Sequence, residues 1–484
     1  MIVFLLLIFS FSSPLKGGGI MKTGGKILCL FLVIGFLFLI AAEFATAQVR
    51  VNCTRGQSVQ TAIDKATGPT TIVVTGTCTE NLIIKKDDIT LQGGTYLPAD
   101  PAQNTILVQG ARRILITGVT VSGGRNGVAS YQGGSLTLDG SSTVSGATQN
   151  GVVASYGSSA TINATNISGN ATGVVASDNS AIVLTNSTIS NNTGSGVIAA
   201  RSSSARIGQN ISGVVGGNTI SGNSGSGVVI SRGSNGLIDS NTITGNGGEG
   251  ISIEGSFATV TNNYISGSTK GINVNNSGGA RIGITDGNQA RGNTVENNSL
   301  EGIQSANGGA AYIYANTVQN NGKNTGRPGV AIYRATGRLL GKNTIRENGG
   351  NGVEVYQGAL FQGVGDFNLP VEQDVITLNG YSGISGSNGA TLDIRKVSVT
   401  QNSYHGITLG LRSTLRIYDS TISGNNYGIA VWEGSALSLP APAATVTQNS
   451  TGIMCGGAEA SYTGDTSGVT GNTTENISTA CTGF

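Results

Sequence analysis

From about residue 120 onward the chain alternates apolar and polar positions in very short runs, three to five residues long, broken by Gly, Ser or Asn. The stretch Gly227-Val-Val-Ile-Ser-Arg-Gly-Ser-Asn-Gly-Leu-Ile-Asp-Ser-Asn-Thr-Ile-Thr-Gly-Asn246 is representative and holds three such runs. Period-two alternation predicts strands, and the Val, Ile and Thr content agrees; no stretch keeps the 3.6-residue period of a helix. A glycine followed by an aliphatic residue recurs at Gly127, Gly151, Gly173, Gly196, Gly227, Gly250, Gly271, Gly302, Gly329, Gly352, Gly383, Gly406, Gly428 and Gly452, at spacings of 21 to 31 residues. One unit of three short strands cannot bury its own apolar side chains. Stacked units can, if each is one coil of a parallel β-helix that turns alternate residues inward and pairs its backbone with the coils above and below. A leucine-rich repeat is excluded because the leucine spacing it needs is missing.

Three residues past the central aliphatic of each Thr-Ile-Ser-type run stands Asn170, Asn192, Asn223, Asn246, Asn298, Asn321, Asn348, Asn379, Asn402, Asn425, Asn449 or Asn472, with Ala147 and Ser268 as the exceptions. Asparagine tolerates left-handed backbone, and its amide can bond to a turn or to the asparagine one coil away, so a corner ladder is expected. The alternatives are glycan acceptors, since several lie in N-x-S/T sequons, or a polar binding strip. Three units are 31 residues long, with extra residues at one place: Gln209 to Gly217, Thr285 to Gly292 and Gly363 to Gln373. They predict three loops along one edge, either a binding wall or the trace of internal duplication, because two of them follow the same Arg-Ile-Gly (Arg206, Arg281).

Composition narrows the picture. Glycine supplies 77 of 484 residues, charged residues only 11% and apolar residues 38%, a balance that excludes a disordered chain. The glycines do not fall every third residue, which excludes collagen. Near the start, apolar runs cover Ile2 to Phe11 and Ile27 to Ala42, the second preceded by Lys22 and Lys26 and followed by Ala45-Thr-Ala47. This reads as a secretory signal region over residues 1–47, with translation starting at Met21 and cleavage after Ala47. Without it, twenty-four basic and twenty-four acidic residues remain and no basic cluster, so the footprint of a nucleic-acid binder is missing. Four cysteines survive: Cys53, Cys78, Cys455 and Cys481. In an exported protein they read as two disulfides; the short separations favour one at each end, among three possible connectivities. Residues 48–126 are expected to form an N-terminal cap and the first coils, and 127–484 the repeats with a disulfide-linked C-terminal cap. Within the first segment, Ser58 to Ala66 offers a helix cap residue and an apolar stripe at Val59, Ala62, Ile63 and Ala66, predicting a short helix over the first coil.

The opening Gln57-Ser-Val-Gln-Thr-Ala-Ile-Asp-Lys-Ala and Thr71-Ile-Val-Val-Thr-Gly-Thr-Cys-Thr-Glu-Asn-Leu-Ile-Ile, together with the Asn-Thr-Ile-Ser-Gly-Asn units, resembles the pectin-lyase-like proteins. The resemblance spans nearly all of residues 50–480. It implies an all-β, single-stranded right-handed parallel β-helix with a short N-terminal capping helix. For activity it implies less, because such proteins include polysaccharide lyases, hydrolases, esterases, epimerases, phage tailspikes and non-catalytic surface proteins. Of the polygalacturonase pattern, Asp87-Asp88 falls in the first coils, the only histidine stands in Tyr404-His405-Gly406, and Arg-Ile-Lys is absent. The epimerase Asp-Pro-His and the pectate-lyase Trp-Ile-Asp-His are absent too.

Registering the coils on their glycines places outward side chains together on coils nine to thirteen: Tyr333 and Arg334, Glu354, Tyr356 and Gln357, Ser385, Ser387 and Asn388, Thr408 and Arg412, then Trp432 and Glu433. Aromatic faces beside Arg, Glu and Asn suit a sugar, whose CH faces stack on rings while its hydroxyls take polar partners. The plainer reading is an exposed sheet whose aromatics steady the stacking. Glu354 is the candidate acid or base, and it has no carboxylate partner at Ala331 or Ser385 on the flanking coils. His405 precedes its marker glycine at a variable corner, where Glu249, Lys270 and Glu301 also stand, and is expected to face solvent. Asp393 and Arg416 should form an ion pair between adjacent coils. Acids are scattered singly, so no metal site and no cofactor are expected. The expectation is an exported monomer, secreted or held in the cell envelope, with no membrane span in the mature chain, that binds a polysaccharide or cell-surface glycan and, if it is an enzyme, processes it as a polysaccharide lyase or related carbohydrate-active enzyme. The competing class is a non-catalytic surface, adhesive or structural rod.

Overall fold

The computed structural model describes residues 47–362, 372–457 and 459–483; residues 1–46 of the signal region and most of the third insertion lie outside them. Each coil lays down three strands in turn. Asn126–Tyr131 joins a first sheet, Ser135–Asp139 a second and Thr143–Ser145 a third, and Asn150–Ala154, Ser159–Asn163 and Asn166–Ser168 repeat the sequence one coil on. All three pairings are parallel and in register, with Val128 against Val152, Leu136 against Ala160 and Val144 against Ile167. Among the described residues sheets 1, 2 and 3 contain seventeen, nineteen and sixteen strands. At ~4.8 Å per coil, sheet 1 spans roughly 80 Å. The fourteen marker glycines undercount the coils, because the first two strands of sheet 1, Leu82–Ile84 and Ile106–Gln109, follow Asn81 and Thr105 instead.

Inward residues of all three sheets form one continuous core, drawn in a typical coil from Ile251, Ile253, Ala258, Val260 and Ile265. The marker glycines are required by contact rather than by backbone angle. A β-carbon on Gly227 would stand 2.7 Å from the Gly250 carbonyl oxygen and 2.7 Å from the Ile243 methyl, and none of the series has a left-handed φ. Here the corner between sheets 3 and 1 brings backbone against the next coil more closely than any side chain permits.

The asparagine ladder is present with the expected amide bonds from coil to coil, but not with the expected left-handed backbone at the ladder residues. The left-handed residue at that corner is the one before each ladder asparagine, as at Asn191, Gly222, Gly245 and Asn320. The ladder residues serve through their amides. Asn321 donates its backbone N–H and Nδ2 to Asn348 Oδ1 at 3.0 and 3.1 Å, and Nδ2 also to the Val295 and Gln319 carbonyls. In turn its Oδ1 accepts the same two donors of Asn298. All of the ladder except Asn472 is buried, which rules out glycan attachment or a binding strip at those positions. At Ser268 the chain of amides breaks, and the buried hydroxyl there has no partner.

A second ladder occupies the corner between sheets 2 and 3. Asn218, Asn241, Asn263, Asn293, Asn316 and Asn343 each donate Nδ2 to the next, at 2.9 to 3.2 Å, and Asn343 donates to Asp374 at 2.8 Å. These are the asparagines that open the Asn-Thr-Ile strands, and the sequence pattern alone read them only as part of the strand motif.

At the N-terminal end the helix Val59–Lys65 buries Val59, Ala62 and Ile63. Ser58 caps it by accepting from Thr61 N–H, and the Glu80 carboxylate takes the N–H groups of Val59 and Gln60 at 2.9 and 3.1 Å. Disulfides join Cys53 to Cys78 and Cys455 to Cys481, one near each end of the stack. Among the described residues no helix is long and apolar enough to cross a membrane. The first two insertions form loops closed by backbone bridges, Gln209 with Val215 and Ile284 with Ala290, at the corner of sheets 2 and 3 and so away from sheet 1. Asp393 and Arg416 are register partners and pair at 3.3 Å.

Replacing Asn321 with Ala strands the two donors of Asn298 and the Val295 carbonyl in the interior, so the variant should lose about 2–4 kcal/mol of stability. Denaturant unfolding of Asn321→Ala beside the exposed Asn324→Ala reads this directly; equal midpoints would mean the ladder does not stabilise the stack.

Candidate functional site

The outer face of sheet 1 is a shallow groove. Its floor is the row Ser252, Asn273, Gln304, Ala331, Glu354, Ser385, Thr408 and Ala430, register partners on successive coils. Several of these outward residues, Ser252, Asn273, Gln304, Ala331 and Ala430, are nevertheless buried. Tyr333 and Tyr356 stand in register on one margin, and farther along Trp432 lies against Gly456 of the next coil, where a β-carbon would be 1.8 Å from the indole. On the other margin, at the corner with sheet 3, stand Tyr381, Tyr404 and Tyr427.

Tyr333, Arg334, Glu354 and Tyr356 line one cleft and Arg412 and Glu433 a second, while Gln357 and Trp432 line neither. The first, about 310 Å³, is lined by Asn307, Arg327, Tyr333, Arg334, Glu354 and Tyr356. Inside it the Tyr333 hydroxyl donates to Glu354 Oε1 at 3.0 Å and Asn351 Nδ2 donates to Oε2 at 2.9 Å, while Arg334 Nε donates to Gln357 Oε1 at 2.8 Å. The second, about 590 Å³, is lined by Asn388, Leu411, Arg412, Glu433, Gly434 and Glu459. Asn388 joins the two, since its Nδ2 donates to the Tyr356 hydroxyl at 2.7 Å.

Sequence reasoning missed a second carboxylate. Glu301, at the corner before Gly302, is buried under the first cleft, with Arg327 Nη1 3.9 Å from its Oε1. Tyr333 therefore sits among Glu301, Glu354 and Arg327. Burial first, then the two negative charges, pushes its phenol well above the usual value, so the hydroxyl stays protonated and acts as a donor. The available signal is the variable pre-glycine corner itself, where Glu301 stands beside Glu249, Lys270 and His405 in the series. Asp87 and Asp88, by contrast, are taken up by Arg113 from the next coil, with Asp88 at 2.6 Å. Among the described residues no group of acids, histidines and cysteines is placed to hold a metal ion.

His405 does not face solvent. Only 1% exposed, it packs against Tyr404 with ring centroids 3.8 Å apart and stacks on Tyr427 at 4.6 Å, and Tyr427 N–H donates to its Nδ1. The corner position, variable on other coils, is filled here by an aromatic stack.

These features define a parallel β-helix with an aromatic-walled groove along one sheet. Residues 104–213, 210–363 and 302–474 match the family model of the right handed beta helix region, and the chain belongs to that family, which sets the hand of the coil. Similar solved structures include a periplasmic alginate epimerase, 14% identical over 65% of this chain and 84% of that one with a TM-score of 0.40. Another is the A-module of an Azotobacter vinelandii mannuronan C-5 epimerase, 15% identical over 80% and 94% with a TM-score of 0.31. A third is the tailspike protein of an E. coli bacteriophage in complex with a hexasaccharide, 11% identical over 87% and 73% with a TM-score of 0.30. No curated protein sequence matches the chain.

Burial pushes the His405 imidazole down to about 4 from its ordinary 6.5. Above pH ~6.5 the ring is neutral in both states, so its contribution is fully present. As pH falls, the unfolded chain takes a proton that the folded one refuses, and stability is lost until the folded ring also titrates near pH 4. Wild type should lose about 2–3 kcal/mol more than His405→Phe between pH 7 and pH 4. Parallel unfolding curves for the two proteins across that range would contradict the buried neutral ring.

Proposed function

We propose that the protein binds a polysaccharide lengthwise in the sheet 1 groove over coils nine to thirteen. The observation that carries this reading is the alignment of Tyr333, Tyr356 and Trp432 beside a floor of small and polar side chains, with two joined clefts along the same margin. Rings of this kind stack on sugar faces, and the amides, carboxylates and guanidinium groups between them take hydroxyls. Four coil rises give ~19 Å of groove, room for an oligosaccharide rather than a single sugar. Glu354, whose two oxygens accept from Tyr333 and Asn351, is held as a fixed acceptor, which favours binding as its first role. The two disulfides and the leader-like start support delivery to an oxidising compartment outside the cytoplasm.

A glycan array followed by affinity electrophoresis tests this reading. Trp432→Ala and Tyr356→Ala should each weaken retention by about five- to tenfold, the loss expected for one stacking ring. No binding anywhere on the array, or variants that bind as wild type does, would refute the groove. Incubation with each bound polymer, read as ultraviolet absorbance from unsaturated ends, then separates a lyase from a module that only holds its ligand.

A further inference from the structure

The outward row that floors the groove changes character along the rod. Over the first seven strands of sheet 1 it reads Ile83, Leu107, Ala129, Val153, Val175, Ile198 and Val229, register partners on successive coils, before it turns polar at Ser252. Ile83 is 40% exposed, Leu107, Val175, Ile198 and Val229 are partly exposed, and Ala129 and Val153 lie buried between them. Strand propensity does not account for this row, since it acts alike on every sheet: on sheet 3 the outward row of the same coils is Thr120, Thr143, Asn166, Thr188 and Thr219. The aliphatic choice belongs to sheet 1, and a contiguous apolar surface open to solvent marks a contact site.

Six coil rises make this track ~29 Å long, and with a strand width of roughly 10 Å it offers about 300 Å². A stable protein interface buries roughly 800 Å² on each partner, so the track is too small to hold a second copy of the chain. An acyl chain laid on an open face would keep half of its surface in water. A sugar ring instead turns its C–H face to the track and leaves its edge hydroxyls hydrated. At the start of the track Gln60 closes the strand Leu82–Ile84, its Oε1 accepting Ile83 N–H at 2.8 Å and its Nε2 donating to the Ile83 carbonyl at 3.1 Å. Beside it lies a cleft of about 460 Å³ that Asn81 and Lys85 also line. At the far end the charged groups are Glu249, Glu254 and Lys270, and each holds a floor side chain: Asn273 donates to Glu249 at 3.4 Å, Ser252 to Glu254 at 3.2 Å, and Lys270 to Gln304 at 2.7 Å. A glycan crossing them meets hydrogen-bonding groups of both signs before it reaches the cleft of Glu354.

We infer that the first seven strands of sheet 1 carry a second glycan surface, an aliphatic track for the C–H faces of an extended, equatorially linked polysaccharide such as a β-1,4-linked glucan, xylan or glucomannan backbone. A ribbon of this kind advances by close to one coil rise per sugar, so successive rings meet successive coils. A coiled α-linked chain leaves a straight track after a few sugars. The inference rests on the glycan reading of the groove and adds length to it: a ligand that engages both surfaces must outreach the stretch over coils nine to thirteen.

The test compares the full mature protein with two variants. The triple variant Val175→Thr, Ile198→Thr, Val229→Thr gives the track the residue that dominates the outward row of sheet 3, and Ile198→Arg lays a long charged side chain across it. Glucomannan and arabinoxylan are the long probes, read by affinity electrophoresis; cellopentaose and xylopentaose are the short ones, read by calorimetry; amylose is the coiled control. Wild type should hold a long probe about tenfold more tightly than its pentasaccharide, and each variant should lose about fivefold on the long probe with the short one unchanged. No loss in either variant, or an equal loss on long and short probes, overturns the track and leaves the groove reading standing. Amylose held as tightly as glucomannan overturns the extended backbone, and a wild-type dimer in sedimentation that Ile198→Arg dissolves makes a second copy the occupant instead. If no probe binds wild type, the groove reading fails and the track with it.

Discussion

Each coil must meet its neighbours at strand spacing on three sheets at once, and this depends on how the corners satisfy their backbone. Between strands the N–H and C=O groups leave the ladders, yet at two of the corners they remain buried. Two files of asparagine amides supply the missing partners: each side chain accepts two donors from one neighbouring coil and donates to carbonyls on its own coil or the one before. With the corner positions thus tied to one height, the glycines can bring sheet 3 round to sheet 1 in backbone contact. A coil one residue out of step would break both amide files and reverse the inward face of three strands.

The groove follows from the same constraint. Since the inward rows must stay aliphatic and the corners are committed to amides and glycines, chemical variety is left to the outward rows and to the residue before each marker glycine. Sheet 1 uses both. Its outward row supplies Glu354, Tyr333 and Tyr356, and its pre-glycine corner supplies Glu301, His405 and Tyr427. Because register is strict, residues more than twenty apart in the chain stand side by side, as Tyr333 and Glu354 do, and a row of side chains becomes a surface with margins and a floor. The first two insertions, at the corner of sheets 2 and 3, lie on the far side of their coils from this surface, so they contribute no wall to it.

Much of the architecture was legible because the repeat states it many times. The strand runs, the capping helix at Val59–Lys65 and the ladder through Asn321 follow from spacing alone. The second ladder was hidden in a strand motif, since Asn before Thr-Ile reads as punctuation until Asn241 is seen bonding to Asn263. The left-handed residue was placed one position late: Asn191 and Asn320 take that conformation, while their ladder neighbours do not. Half of the site was legible too. The outward strip on coils nine to thirteen follows from alternation, whereas Glu301 and the stack around His405 lie at corners where alternation has no meaning.

What the sequence by itself determined is the coil: its period, its inward face, its register and the family to which it belongs, all properties that repeat and so reveal themselves by recurrence. What only the tertiary structure decided is how single, non-repeating side chains lean across coil boundaries. Tyr333 lying between two carboxylates, His405 sealed between tyrosines and the unpartnered oxygens of Asn273 and Glu301 each depend on rotamer and local crowding. Periodicity sets the height of a residue on the rod but not the direction in which its side chain turns once it leaves the strand.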